Sequence, residues 1–399
     1  MTSAIARLGA RCRRVLALDL LDNRFPALHG LRFVAIVTVV QYHLTATLGR
    51  HVELAPELVA TSLRVFFGMD LFFILSGFLI GTILIRTRER HGTQQVGRFY
   101  LRRIFRTFPP YYLVLTGLAL WHTLTPEQLH NLPYEYAYLT NFRGSTSQEL
   151  VMGWGWSLAL EEQFYLLAPL LVWGLLRLRT DRARIAVLVA LCGLGLVIRL
   201  AIWASRDVFG DSPWGSVEYT RAVYFSTYTR FDTLICGVLL ALIELRFGER
   251  IGRWLEHPFH RALLALPAMT LLWLLLSTSS PGAGGSTLSR AFYWGTATCL
   301  MYLPALLLLL HVPSAIGRFL SRPVFRRLAT LGYGVYLIHI PVIEALAGAR
   351  DALVATGLSP TAMWLVSLVV VMLVSLAVSY LLHVVVEKPS LWLRDRVAG

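Results

Sequence analysis

An arginine and a histidine with the potential for joint chemistry, Arg32 and His43, lie in one apolar stretch. On an α-helix their spacing places both side chains on one face, about 16 Å apart along the axis. Ionisable groups cost free energy in hydrocarbon, so the shared face predicts a polar interior or a water-filled cavity in a membrane bundle. A neutral histidine suits a general base, and an arginine suits a phosphate or carboxylate. The alternative is structural, with Arg32 extending to the cytoplasmic face and His43 bonded to a neighbouring helix.

A basic cluster that contains Arg103 and Arg106 precedes the Pro109-Pro110 pair. On a helix the two arginines lie one turn apart, and the proline pair is predicted to start the next apolar helix. Two guanidinium groups on one face suit a polyphosphate such as that of coenzyme A. Membrane orientation and anionic lipid also require a basic inner loop, so the spacing alone leaves both interpretations open.

One string that opens an apolar helix from its outer side combines aromatic, hydroxyl and carboxylate side chains. Glu161 lies about one turn beyond Ser157, and Tyr165 lies a further turn along the same face. Glu161 or Glu162 is predicted to orient a base or to bind a hydroxylated acceptor, with Trp156 stacked on a sugar ring. The alternative is an aromatic belt at the membrane interface with solvated carboxylates.

Two further strings place polar groups in apolar segments. Tyr336 and His339 share a helix face and are predicted to line the same polar interior as His43. The alternative is that they are packing residues. Arg230 and Asp232 are predicted first as a structural ion pair and second as contacts to an acceptor.

Composition limits the fold class. The chain has 399 residues and is 56% hydrophobic, a balance typical of polytopic helical membrane proteins. Basic residues concentrate in alternate loops, as expected when both termini are cytoplasmic. The sequence therefore predicts an all-α polytopic membrane protein with about ten transmembrane helices. The predicted segments run at about 27–48, 65–85, 108–123, 155–176, 185–204, 224–245, 262–277, 291–311, 328–346 and 361–386.

Several other classes are not expected. The formal net charge of +14 is compatible with nucleic-acid binding, but the arginines lie in short loops and form no continuous stripe, so no nucleic-acid partner is expected. The cysteines have no metal-type spacing, so neither a disulfide nor a metal site is expected. The basic N-terminal segment lacks a signal-peptide cleavage site, which predicts a retained first helix. The cysteines are Cys12, Cys192, Cys236 and Cys299.

Six strings taken together resemble the acyltransferase-3 family of integral membrane acyltransferases. The resemblance covers nearly the whole span 25–389, and the strings follow the family order. One such string is weak evidence for the family, whereas six strings in the family order together with ten predicted helices are specific evidence. The strings are His29-Gly30-Leu31-Arg32 followed by His43, Asp70 to Ile80, Phe99-Tyr100 to Pro109, Trp156-Ser157-Leu158 to Tyr165, Tyr336 to His339, and Glu387-Lys388-Pro389.

The resemblance implies acyl transfer, usually of acetyl, from cytoplasmic acyl-CoA to a hydroxyl of a carbohydrate or other polyol, such as a cell-surface polysaccharide or a glycosylated metabolite. The implied location is the bacterial cytoplasmic (inner) membrane, and no bound cofactor is expected beside the donor substrate, acetyl-CoA. His43 is then the predicted base, and Glu161 orients the acceptor or His43. Arg32, Arg103 and Arg106 hold the phosphates of coenzyme A.

The predicted organisation is a basic cytoplasmic segment at 1–24, an acyltransferase-3 transmembrane domain at 25–389 and a cytoplasmic tail at 390–399. A transporter of a glycan precursor or small molecule is the alternative, because ten helices with buried charges fit one. The lack of a convincing internal repeat weakens it. A third class is a regulator that binds acyl-CoA without turnover. The residues predicted to contact the acceptor or line the pore are Trp156, Ser157, Glu162, Tyr165, Arg230, Asp232, Tyr336 and His339.

Overall fold

The computed structural model describes residues 18, 21, 23–65, 67–205, 220–278 and 293–397, and the regular elements in these ranges are helical. Cys12 and the predicted cytoplasmic position of the N-terminal segment up to residue 17 lie outside the described residues. The α-helices are α1 (Pro26–Leu48), α2 (Pro56–Arg64), α3 (Gly68–His91), α4 (Val96–Trp121), α5 (Pro126–Tyr136), α6 (Trp156–Arg177), α7 (Asp181–Ser205), α8 (Thr227–Trp254), α9 (Pro258–Thr278), α10 (Thr298–His311), α11 (Ala315–Leu320), α12 (Pro323–Gly348), α13 (Arg350–Ala355), α14 (Pro360–Leu382) and α15 (Lys388–Val397).

The predicted apolar segments coincide with helical segments wherever the structure describes them. Within the described ranges, seven helices are long and apolar enough to cross a membrane, which makes the chain an all-α multi-pass membrane protein. Helices α4, α8 and α10 account for the other predicted segments, but α8 carries intramembrane charges and α10 has only 14 residues. The count of ten and the cytoplasmic termini stay predictions. The seven helices are Pro26–Leu48, Gly68–His91, Gly153–Arg177, Asp181–Ser205, Pro258–Ser277, Pro323–Gly348 and Pro360–Val397.

Helix α4 departs from the prediction at the Pro109-Pro110 pair, which lies inside the helix and does not start it. Pro109 has no N–H to donate to the carbonyl of Phe105, four residues earlier. The hydroxyl of Ser390 donates to that carbonyl instead, at 2.7 Å. A replacement donor of this kind lets a helix continue past proline, so the basic cluster and the apolar segment form one helix.

The described residues form two compact units. The first comprises those within Met1–Glu53, Gly97–Val114 and Arg318–Gly399, and the second those within Leu54–Val96 and Leu115–Gly317. Helices α1, α12, α14 and α15 therefore belong to the first unit, together with most of α4. Helices α3 and α5 to α10 belong to the second.

In the first unit, α1 packs against α12 and α14. Gly334 of α12 lies so close to α14 that a Cβ at this position would be 2.3 Å from Oγ of Ser379. That Oγ donates to the carbonyl of Leu331 at 2.7 Å. The indole N–H of Trp364 donates to the hydroxyl of Thr45 at 2.8 Å, which joins α14 to α1. These contacts hold the two helices that carry the predicted intramembrane histidines.

In the second unit, α3 and α8 approach closely at a pair of glycines. A Cβ added to Gly77 would lie 2.0 Å from the carbonyl oxygen of Leu234, and one added to Gly237 would lie 2.1 Å from that of Ile74. Small residues at such a crossing let two helix backbones meet, which is how helices associate where lipid provides no hydrophobic driving force. Gly77, in the string Asp70 to Ile80, is therefore a packing residue.

Replacing Gly77 by alanine is expected to destabilise the protein by about 3 kcal/mol or more, because a backbone carbonyl occupies the position of the new methyl group. The measurement is thermal unfolding of the detergent-solubilised protein. The matched control is Gly174→Ala in α6, where an added Cβ would meet no atom within 4 Å. An equal thermal midpoint for the two variants would contradict the close crossing.

Candidate functional site

Two histidines from α1 and α12 are in direct contact in the first unit. Nδ1 of His43 lies 3.0 Å from Nε2 of His339, and the ring centroids are 5.0 Å apart. His339 is fully buried, and its Nδ1 lies 2.7 Å from the carbonyl oxygen of Tyr336. His43 is partly exposed. The structure thus brings together three residues that the sequence singled out in two separate strings.

The contact determines which nitrogen of each neutral ring carries the proton. The carbonyl of Tyr336 only accepts, so Nδ1 of His339 is the donor. In a neutral ring Nε2 of His339 is then an acceptor, and Nδ1 of His43 must donate to it. Nε2 of His43 consequently carries the basic lone pair. The arrangement can therefore hold His43 in the tautomer that a general base requires.

The arginines predicted to hold phosphate, Arg32, Arg103 and Arg106, lie in the same unit as the histidine pair. Each of the three is partly buried. The part of α4 that carries Arg103 and Arg106 is joined to α12, because the hydroxyl of Tyr333 donates to the carbonyl of Thr107 at 2.9 Å. The basic segment is thus held by the helix that carries one of the two histidines.

The predicted carboxylate Glu161 belongs to the second unit and lies in a buried chain of hydrogen bonds. The hydroxyl of Ser76 in α3 donates to Oε1 of Glu161, and the hydroxyl of Tyr165 lies 3.5 Å from Oγ of Ser76. Glu161 is 7% exposed, whereas Glu162 beside it is partly exposed. One partner of Glu161 is therefore a serine of the string Asp70 to Ile80.

The predicted stacking of Trp156 on a sugar ring does not match the structure. The Trp156 ring is stacked on Phe225, with centroids 5.0 Å apart and an interplanar angle of 23°, and it also packs against Tyr224 and Phe73. Only 6% of the residue is exposed. Ser157 is also buried, and its hydroxyl donates to a backbone carbonyl at 3.4 Å. Aromatic side chains of the protein occupy the surface that a sugar would need.

Arg230 and Asp232 have separate partners. Arg230 lies 2.7 Å from Asp70 of α3, and Asp232 lies 2.8 Å from Arg199 of α7, with all four side chains buried. Residues two positions apart on a helix point to different sides, so each reaches a different neighbour. These pairs join α8 to two other helices. The charges of Arg230 and Asp232 therefore bind other side chains of the protein and not an acceptor. The sequence placed Asp70 and Arg199 in apolar segments without identifying their partners.

Another buried pair was missed in the first unit. Nδ1 of His383 lies 2.8 Å from Oε2 of Glu387, within the π-helical turn His383–Glu387. Both are buried, as is Lys388. The Glu-Lys-Pro string was quoted only as a family marker, and the signal that could have found the pair is a histidine four positions before a carboxylate.

A further polar cluster lies outside the membrane-spanning helices, on the short helix α5. Glu135 is 1% exposed, and both its carboxylate oxygens accept backbone N–H groups, from Val151 and Met152, at 2.8 Å. Desolvation by burial raises the pKa of Glu135 from 4.5 to about 7, and the two N–H donors act in the opposite direction. The carboxyl therefore fixes the loop before α6 and titrates near neutral pH.

The stability of the protein is expected to fall as pH rises from about 4.5 to about 7. In this window the folded state holds the proton of Glu135 and the unfolded state does not, so unfolding releases a proton. The full change is about 3 kcal/mol at most, taking 1.4 kcal/mol for each pKa unit. Glu135→Gln mimics the protonated carboxyl and should flatten the plot of thermal midpoint against pH. Glu127→Gln, an exposed site on the same helix, should keep the wild-type slope; equal slopes for both variants would refute the assignment.

Cysteine and metal chemistry have little to add. Cys192, Cys236 and Cys299 are free thiols. The described residues contain no group of three or more His, Cys, Asp or Glu side chains that could hold a metal ion.

Comparison with known proteins places this chain among acyltransferases. The family described as "Acyltransferase domain" matches residues 25–384. The Bacillus subtilis protein YrhL is 28% identical over 342 residues, which cover 80% of this chain and 48% of YrhL. Peptidoglycan O-acetyltransferase OatA of Listeria monocytogenes is 27% identical over 335 residues, which cover 80% of this chain and 49% of OatA. The chain thus spans about half the length of these curated relatives, and no solved structure matches it.

Proposed function

Because the chain belongs to the family of acyltransferase domains, we propose that it is a membrane O-acetyltransferase, which moves an acetyl group from acetyl-CoA to a hydroxyl of a carbohydrate or polyol. The observation that carries the proposal is the contact between Nδ1 of His43 and Nε2 of His339. It leaves Nε2 of a partly exposed imidazole as a base inside the first unit. Intramembrane ionisable groups of this kind are functional by default.

The proposed reaction is a single displacement at the thioester. Nε2 of His43 takes the proton of the acceptor hydroxyl while the oxygen attacks the acetyl carbonyl carbon. The carbon–sulfur bond then breaks, and the thiolate of coenzyme A leaves and takes up the proton from His43. An ester and free coenzyme A result. His339 is a positioning residue that holds the tautomer of His43, and a covalent acetyl-His43 intermediate is the variant to be tested.

The remaining roles follow from charge. Arg32, Arg103 and Arg106 are proposed to hold the phosphates of coenzyme A, because a guanidinium binds phosphate through two parallel N–H donors. Glu161, with Ser76, is proposed to orient the acceptor. The transmembrane domain is proposed to extend over 25–389, with cytoplasmic segments at 1–24 and 390–399.

The proposed acceptor is a glycan of the cell envelope, and the proposed location is the bacterial cytoplasmic (inner) membrane. The support is the similarity to a relative that is a peptidoglycan O-acetyltransferase. Peptidoglycan lies outside that membrane, whereas acetyl-CoA is cytoplasmic. A multi-pass bundle with a polar interior is the kind of protein that can connect the two.

Two measurements test the proposal. Purified protein is incubated with labelled acetyl-CoA, and release of the label is followed; a transporter or a regulator should release none. In parallel, mass spectrometry compares envelope glycans of the parent strain with those of a deletion strain. Loss of one acetyl group from a glycan, restored by the wild-type gene, is expected. Unchanged glycans together with no release of label would overturn the proposal.

A further inference from the structure

The C-terminal ends of α3 and α6 enclose a small cavity in the second unit, and none of the residues that line it has been assigned a role above. Its volume is about 50 Å³, and it is lined by Arg88, Gln94, Trp173, Leu176 and Arg177. The lining combines two guanidinium groups, one amide and one indole with no carboxylate. We propose that this cavity binds the phosphate group of an anionic ligand.

The side chain of Gln94 is the first observation that points to a ligand. Gln94 is only 7% exposed, and its Nε2 has no hydrogen-bond partner among the residues that the structure describes. A buried amide N–H without an acceptor costs free energy, so such groups are normally satisfied by protein, water or ligand. A phosphate oxygen in the adjoining cavity would accept this hydrogen bond.

The arginines are the second observation. In the described part of the chain Arg88 and Arg177 make no ion pair, whereas two carboxylates near them in sequence, Glu89 and Asp181, pair with another arginine. Glu89 lies 2.6 Å from Arg246, and Asp181 also pairs with that arginine, at 3.4 Å. Both arginines are exposed, so their guanidinium groups are accessible to an anion at the mouth of the cavity. The cavity is therefore electrostatically suited to a doubly charged phosphate.

The indole sets the orientation of one guanidinium. The Arg177 guanidinium carbon lies 4.4 Å from the centre of the Trp173 ring, which is a cation–π contact. Stacking uses the face of the guanidinium and leaves its N–H donors at the edge, where they can form the paired hydrogen bonds that phosphate accepts. Trp173 is 47% exposed, so the cavity is open to a ligand at the surface.

Helix capping is the simpler explanation, and it accounts for only part of these observations. Nη1 of Arg88 donates to the carbonyl of Gly92, which terminates α3, and cations are favourable at helix C-termini. Capping does not explain why the amide of Gln94 is buried beside the cavity without a partner. It also predicts that replacement of the arginines lowers stability without changing phosphate binding.

The test compares two double variants that remove equal charge from the same helix ends. Arg88→Gln with Arg177→Gln removes both guanidinium groups from the cavity, whereas Arg90→Gln with Arg179→Gln removes two equally exposed arginines that do not line it. One arm measures binding of inorganic phosphate to detergent-solubilised protein by calorimetry. The other measures retention of phosphatidylglycerol over phosphatidylcholine by native mass spectrometry. Binding in the first arm identifies a free phosphate, and binding in the second alone identifies a lipid headgroup.

The cavity variant is expected to lose about tenfold or more in affinity in whichever arm shows binding, and the control variant is expected to keep wild-type affinity. Gln94→Glu is a second variant of nearly unchanged shape, and its carboxylate should repel phosphate to a similar degree. No binding in either arm would overturn the proposal. Equal losses in the two double variants would also overturn it, because they would indicate non-specific attraction to the basic helix ends.

Discussion

Replacement of His43 by alanine is expected to lower the rate of acetyl transfer by roughly 100-fold to 10,000-fold, the range that a general base contributes. The reason is that Nε2 of this imidazole is the proton acceptor left by the tautomer of the histidine pair. The side chain is partly exposed, so its removal should leave the protein folded. The measurement is turnover of labelled acetyl-CoA in the presence of acceptor, with size-exclusion chromatography as the check on folding.

The matched control is His51→Ala, which removes an exposed histidine from the same unit and should keep wild-type turnover. Two variants of His339 distinguish a positioning role of this residue from a packing role. His339→Gln retains a side-chain oxygen that can accept from Nδ1 of His43, so it should recover part of the turnover lost in His339→Ala at an unchanged KM for acetyl-CoA. Near-normal turnover of folded His43→Ala protein would eliminate the mechanism.

The second large effect is expected at Glu161, where Glu161→Gln should reduce turnover by roughly 100-fold. The carboxylate is buried and accepts the Ser76 hydroxyl, so an amide there loses the charge and replaces one of the two acceptor oxygens by an NH₂ donor. The expected change is in turnover and in the KM for the acceptor, with the KM for acetyl-CoA unchanged. Steady-state kinetics with both substrates varied provides the measurement.

Glu162→Gln is the matched control, since it removes the same charge from the adjacent, partly exposed position and should change turnover by no more than about threefold. Ser76→Ala should reproduce part of the Glu161→Gln defect, because it removes the donor to that carboxylate. Equal losses for Glu161→Gln and Glu162→Gln would show that the effect is general electrostatics and not the buried hydrogen bond.

The helices were predictable because hydrocarbon imposes a strong constraint: a run of apolar residues of sufficient length has few alternatives to a spanning helix. The position of the Pro109-Pro110 pair inside α4 was not predictable. The donor that replaces the missing N–H is the hydroxyl of Ser390, which is remote in sequence. The short amphipathic helices α2 and α5 were also missed, since no long apolar run marks them.

The residue types of the candidate site were predictable, and their partners were not. An imidazole at His43 or a carboxylate at Glu161 stands out locally because each is costly in an apolar segment. Which group each contacts depends on how the helices pack, and the contact between His43 and His339 joins positions separated by 296 residues. Periodicity shows which face of a helix carries a polar group, but it does not show which face of another helix packs against that group. For the same reason Trp156 was assigned to a sugar although aromatic rings of the protein cover it.

The buried ion pairs of α8 determine when this protein can be released into the lipid during synthesis. Asp70 of α3 and Arg199 of α7 leave the ribosome before their partners, Arg230 and Asp232, which both lie in α8. Until α8 arrives, each earlier helix carries an uncompensated charge whose insertion costs about 3 kcal/mol. Helices α3 and α7 are thus unfavourable in the bilayer on their own, and α8 supplies the partner charge for each of them. Chains that terminate before α8 should remain with the insertion machinery and be degraded.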